Sequence, residues 1–231
     1  MEKVNLRDEI YRIINAHNAD KDGGYALVLE LKQFVNNLDE KSIEKVLEIL
    51  MEIIENRNIH WGIALELIRM SNLNKAGKYL IQYLQYAKNY GEFEFEVLKT
   101  LLRIRYKKSL RFGKEYLKKY PPPENWDSIS IVALLVFVSK KEFLKNASKL
   151  WVTLLENNEW ENDLSNITSM FLLNIHKVNH SLIIELHNRI WSISHNAGKK
   201  FRELIKNFYS SSRIKDTLPS EEINKVLEKL K

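Results

Sequence analysis

The chain contains no cysteine. A disulfide framework, a thiolate nucleophile and any Cys-ligated zinc or iron-sulfur centre are therefore excluded, and nothing calls for an oxidising compartment. Glycine and proline are scarce, at seven and four among 231 residues, and three of the prolines stand together at Pro121, Pro122 and Pro123. All-β folds consume far more turn chemistry than this, so the composition points to an all-α protein. No apolar run approaches the roughly 20 residues that cross a bilayer. The first ten residues are charged from Glu2 onward and hold no run of signal-peptide character. No membrane association and no export are expected, and the cytoplasm is the expected location.

Several chemistries lack their residues. No Gly-x-Gly-x-x-Gly occurs, and Gly198-Lys199-Lys200 lacks the upstream glycine of a phosphate loop. No Glu-x-x-His pair is present for a di-iron bundle. His176, His180 and His187 share one face if their helix is continuous, and histidines four apart can hold zinc. Asn179 and Ser181 argue for a break between the first and second, and the glutamate of a His-Glu-x-x-His protease is missing. No catalytic, cofactor or metal set is expected, and the chain is not expected to be an enzyme.

What is present is ordinary for a folded protein, with 45% apolar and 29% charged residues. Residues 129–138 are apolar apart from Ser130 and offer no polar face to water, which places them in the middle of a core. The run is rich in β-branched residues and passes for a strand in isolation; its place in a repeat decides for helix. The rest reads as helices with caps and stripes. Asn5 opens the first, with Ile10, Ile13 and Ile14 on one side, and Asp39 opens a third carrying Val46, Leu47, Leu50, Ile53 and Ile54. That third helix sets Glu44, Glu48, Glu52 and Glu55 in one row, which reads as a solvated face or a docking site.

From His60 onward the chain repeats. Leu67-Ile68-Arg69-Met70, Leu101-Leu102-Arg103-Ile104 and Leu135-Val136-Phe137-Val138 recur at an offset of 34, each in the first helix of an apparent pair. Gly77, Gly113 and Ala147 fall at corresponding places in the second helices, where small residues let helices approach closely. In this period the chain resembles the tetratricopeptide and HEAT repeat families. The resemblance implies antiparallel helix pairs stacked as an α-solenoid-like, right-handed slab. It carries no binding residues over, because the tetratricopeptide Trp, Leu-Gly and Tyr are absent from the matching positions. Trp126-Asp127-Ser128 is similar to a stretch of the HEAT-repeat DNA glycosylases, which are helical and basic. Ser130 stands where that family has its catalytic aspartate. One domain over 1–231 is expected, closed by a joint and an amphipathic capping helix over 210–231, with Ile223, Val226, Leu227 and Leu230 as its stripe.

Charge is the strongest functional signal. Residues 1–58 carry 8 Lys and Arg against 12 Asp and Glu, whereas residues 99–119 carry nine Lys and Arg against Glu115 alone. On two successive helices, Lys99, Arg103 and Lys107 at spacing four, then Arg111, Lys114 and Lys118 at spacings of three and four, form two basic stripes. Their expected partner is an acidic protein surface, with a nucleic-acid backbone as the alternative and Tyr106, Tyr116 and Tyr120 as potential stacking groups. A non-enzymatic binding module follows, an adaptor or a toxin-neutralising partner of immunity type. The alternative is a basic protein that binds nucleic-acid backbones on a glycosylase-like fold without the catalytic aspartate.

Overall fold

Helices account for every regular element among the described residues, which in this computed structural model are 5–17, 24–57, 60–87, 89–176, 180–211 and 220–230. In chain order these are α1 (Leu6–His17), α2 (Gly24–Asn36), α3 (Glu40–Glu55), α4 (Trp61–Met70), α5 (Gly77–Gln85), α6 (Glu92–Arg103) and α7 (Ser109–Lys119). They continue with α8 (Trp126–Val138), α9 (Lys140–Glu156), α10 (Leu164–His176), α11 (His180–Ile193), α12 (His195–Ser210) and α13 (Ser220–Lys229). The all-α fold class read from glycine and proline scarcity is the observed one. The sequence shows no boundary within 1–231, yet contacts between helices group the chain into two compact units, residues 1–112 and 113–231.

In the first unit the caps do what their side chains dictate. Asn5 Oδ1 accepts the backbone N–H of Arg7 at 3.2 Å, and Asp39 Oδ1 accepts that of Ser42 at 2.7 Å, each satisfying an amide of a first helical turn. The stripes behind these caps are buried: Ile10, Ile13 and Ile14 on α1, and Val46, Leu47, Leu50, Ile53 and Ile54 on α3. Here α1 packs on α2 and α3, α4 on α2, α3 and α6, and α5 on α6. Each fully buried aliphatic side chain removes enough apolar surface from water to favour the folded state by about 1.5–3 kcal/mol.

Two helix ends in this unit share a geometry without sharing a glycine. α4 closes with Leu73 N–H donating to Ile68 O at 3.1 Å and with Asn72 at φ 50°. α6 closes with Tyr106 N–H donating to Leu101 O at 2.9 Å and with Arg105 at φ 55°. Both are six-to-one closures around a left-handed residue, a role glycine usually fills. The second returns Tyr106 onto Gly77 of α5. A Cβ built on Gly77 would lie 2.2 Å from Tyr106 Cδ2, so only glycine allows this approach.

The second unit is built around α8, which packs on α9 and α10. Ile129 through Val136 are all buried. The expectation that the whole run to Val138 is enclosed needs one correction, because Phe137 and Val138 are half-buried where the helix reaches its end. Gly113 lies against α8, where an added Cβ would stand 2.9 Å from Leu135 Cδ2. The triproline segment ends α7 and separates it from α8, as proline's missing N–H and fixed φ require. Trp151 is buried at the centre of α9, edge-on to Phe171 and 4.8 Å from the Phe201 ring. α13 buries Ile223 and Val226, Leu230 just beyond its end is also buried, and the helix packs on α11. The joint expected before it lies, over 212–219, outside the described residues.

Candidate functional site

The six basic candidates do not form two stripes. α6 ends at Arg103, and the left-handed Arg105 turns the chain, so Lys107 sits in the connection to α7 rather than one turn further along the same helix. Lys99 and Arg103 are half-buried. Lys99 pairs with Glu96 and lies 4.6 Å over the Phe95 ring. Glu96 also receives Arg69 at 2.8 Å, and Arg69 Nε lies 2.8 Å from Glu66. Burial pushes the Glu96 carboxyl up, but Arg69 and Lys99 outweigh it and hold the group below the ordinary carboxylate range. Burial lowers the Arg103 guanidinium; Glu66 opposes this and Arg69 adds to it. These residues form an ion network between α4 and α6. Arg111, Lys114 and Lys118 are exposed on α7, with Lys114 2.5 Å from Glu142 of α9. Of the tyrosines, Tyr116 is buried and Tyr106 covers Gly77, which removes both as stacking platforms; Tyr120 is half-buried, 4.9 Å from the Tyr116 ring.

The remaining sequence candidates divide similarly. His187 is fully buried, with Nδ1 3.4 Å from Asn188 Oδ1, and the side chains of His176 and His180 lie outside the described residues. Burial, reinforced by Arg202, lowers the His187 imidazole below its ordinary value, against the opposing effects of Asn188 and the backbone of Gly198. Gly198 itself is pressed against Trp191, with a Cβ position 2.6 Å from Trp191 Cε3, which makes it a packing residue between α11 and α12. Ser130 is buried and Asp127 is exposed on α8.

The row of glutamates on α3 gains most from the structure. With α5 opposite, it borders an open groove of about 410 Å³, lined by Glu44, Glu48, Glu52 and Glu55, by Leu47, Met51 and Tyr79, and by Lys75 and Lys78. Helical spacing explains one face carrying both chemistries: positions 44, 48, 51, 52 and 55 follow the three-and-four pattern, so Met51 falls among the acids. Leu47 and Met51 are each 6% exposed and form the floor, while the Tyr79 ring is 39% exposed at the edge. Lys75 bonds Glu40 at 3.0 Å and Glu44 at 2.7 Å, and Arg7 of α1 holds Glu52 through both guanidinium nitrogens. Hydrogen bonds from these cations keep the Glu44 and Glu52 carboxyls below the ordinary range. Glu48 and Glu55 are exposed and make no ion pair among the described residues. The sequence carried the signal for this site in its acidic row, but gave no sign of the partner helix α5 or of the apolar floor.

Comparison with family models, with curated proteins and with solved structures finds no match to this chain.

Proposed function

We propose that this protein is a non-enzymatic binding module, an adaptor or toxin-neutralising partner, that holds another protein through the groove between α3 and α5. The observation that supports the reading is the groove's composition: the exposed Tyr79 ring beside a floor of Leu47 and Met51, beneath a rim of charges in which two of the four glutamates make no ion pair among the described residues. Exposed apolar surface framed by polar residues is the usual anatomy of a protein-binding patch. The finer architecture proposed with it is a stack of tetratricopeptide-like or HEAT-like helix pairs. It is supported by the three repeated segments, which fall at the C-terminal ends of α4, α6 and α8, the second running one residue past α6.

The test is capture from the native cell with wild type beside Tyr79→Ala and Met51→Ala. A partner recovered by wild type and lost with Tyr79→Ala, at unchanged circular dichroism, supports the groove. Equal recovery by both variants removes it. A second reading keeps the exposed cations of α7 as a surface for an acidic protein or a nucleic-acid backbone, favoured by Lys114, Lys118 and Lys119 all lying exposed. Charge reversal at Lys114 and Lys118 tests it independently. The half-buried Arg103 does not belong in that set, since reversing it would disrupt the ion network of α4 and α6.

A further inference from the structure

Resting on the groove as the binding site, we infer that its occupant is a basic amphipathic helix of the partner, with one large apolar side chain between two cations set about two turns apart. The charge pattern carries the first half of this. Of the four rim glutamates, Glu44 is answered by Lys75 and Glu52 by Arg7, which leaves Glu48 and Glu55 to an incoming group. They lie seven residues apart on one helix, which at 1.5 Å per residue separates them by about 10 Å along its axis. Met51 lies between them on the same face, so the two free carboxylates flank the apolar floor. An occupant that satisfies all three presents cation, apolar anchor and cation over the same span.

The choice of a helix comes from the walls. Both are α-helices whose backbone N–H and C=O groups are spent on their own bonds, so an extended strand would find no ladder to join. Side-chain ridges of a helix settle between two such walls instead. A Lys or Arg pair at i and i+7, with Leu or Phe three or four residues after the first, matches this helical spacing. The groove also has a direction. Its Glu44 end holds Lys75 and Lys78, the latter 4.6 Å over the Tyr79 ring, whereas further along α3 only Glu52 is answered, by Arg7, and Glu48 and Glu55 make no ion pair among the described residues. The cationic part of the occupant therefore lies over the C-terminal half of α3.

The test uses the full chain and three fluorescein-labelled 18-residue helical peptides read by anisotropy at low salt. The first carries Lys at i and i+7 with Leu between; the second replaces both Lys by Glu; the third keeps Lys and replaces Leu by Ser. The inference requires the first to bind about tenfold or more tighter than either of the others, because two ion pairs and one buried anchor separate them. Glu48→Gln with Glu55→Gln must reduce binding of the first peptide by about tenfold and erase its advantage over the second. Equal binding of the Lys and Glu peptides, both weakened by Tyr79→Ala, overturns the cationic occupant and leaves the groove standing. Binding that Tyr79→Ala and Met51→Ala leave unchanged, or no saturable binding by any peptide, overturns both.

Discussion

Substituting Gly77 by alanine sets two effects of known sign against each other. A glycine inside a helix costs about 0.5–1 kcal/mol relative to alanine, so relieving that cost alone would stabilise α5. The new methyl, however, would stand 2.2 Å from Tyr106 Cδ2 and 2.5 Å from Cγ, where ordinary contact needs at least 3.4 Å. The clash is with the root of the ring, and the ring belongs to a chain segment fixed by the Tyr106 to Leu101 backbone bond. The ring therefore has to shift by more than an ångström, and overpacking of this kind costs about 1–3 kcal/mol. The expected net loss for Gly77→Ala is about 1–2 kcal/mol, measured by urea unfolding with an unchanged slope. Gly62→Ala in α4 is the control: no atom lies within 4 Å of its added Cβ, so a gain of up to about 1 kcal/mol is expected. In a Tyr106→Ala background the Gly77 substitution should become neutral or stabilising. If Gly77→Ala stabilises wild type as much as Gly62→Ala does, the close approach of Tyr106 to α5 is refuted.

Leu135→Ala removes a buried side chain packed over Gly113 and is expected to cost about 2–5 kcal/mol by thermal or chemical unfolding, whereas Phe137→Ala, half-buried, should cost less than Leu135→Ala. The order reversed would misplace the centre of the second unit. His187 binds its proton more weakly folded than unfolded, so the unfolded chain takes up protons first as pH falls. Stability should be flat above about pH 6.5 and decline below it, and His187→Gln should flatten that decline; an unchanged acid limb would contradict the buried neutral imidazole. Charge reversal at Lys114 and Lys118 should leave the melting temperature within a few degrees, since exposed ion pairs contribute roughly 0–1 kcal/mol. If α7 binds nucleic acid, the same variant should lower the slope of log affinity against log salt by roughly 0.7–0.9 for each lost phosphate contact, while a protein partner predicts a shallow slope throughout.

The all-α class and the central place of residues 129–136 were legible because helical periodicity, caps and scarce turn residues are local signals. The basic stripes were not, and Arg105 shows why. The helix reaching it carries no glycine or proline to mark its end, so periodicity ran on to Lys107, whereas the chain closes a left-handed turn that tertiary packing of Tyr106 on Gly77 sustains. Lys99 and Arg103 misled for a related reason: Glu96, the neighbour of Lys99 on α6, is also bound by Arg69 of α4, and Glu66 of α4 faces Arg103, so pairing across α4 and α6 converts apparent surface charge into a half-buried network. The acidic row of α3 was visible as a row. Its depth was not, because Tyr79 and Lys75 reach it from another helix.

The groove itself is tested most directly by placing a photo-crosslinking benzoylphenylalanine at Tyr79 in the native cell, with the same residue at Tyr86, 84% exposed and outside the groove, as the comparison. One dominant crosslinked protein is expected at position 79, joined through a Lys- or Arg-rich helical segment, and weakened by Glu48→Gln with Glu55→Gln. Crosslinks at position 79 that are no stronger or more selective than those at position 86 would contradict it.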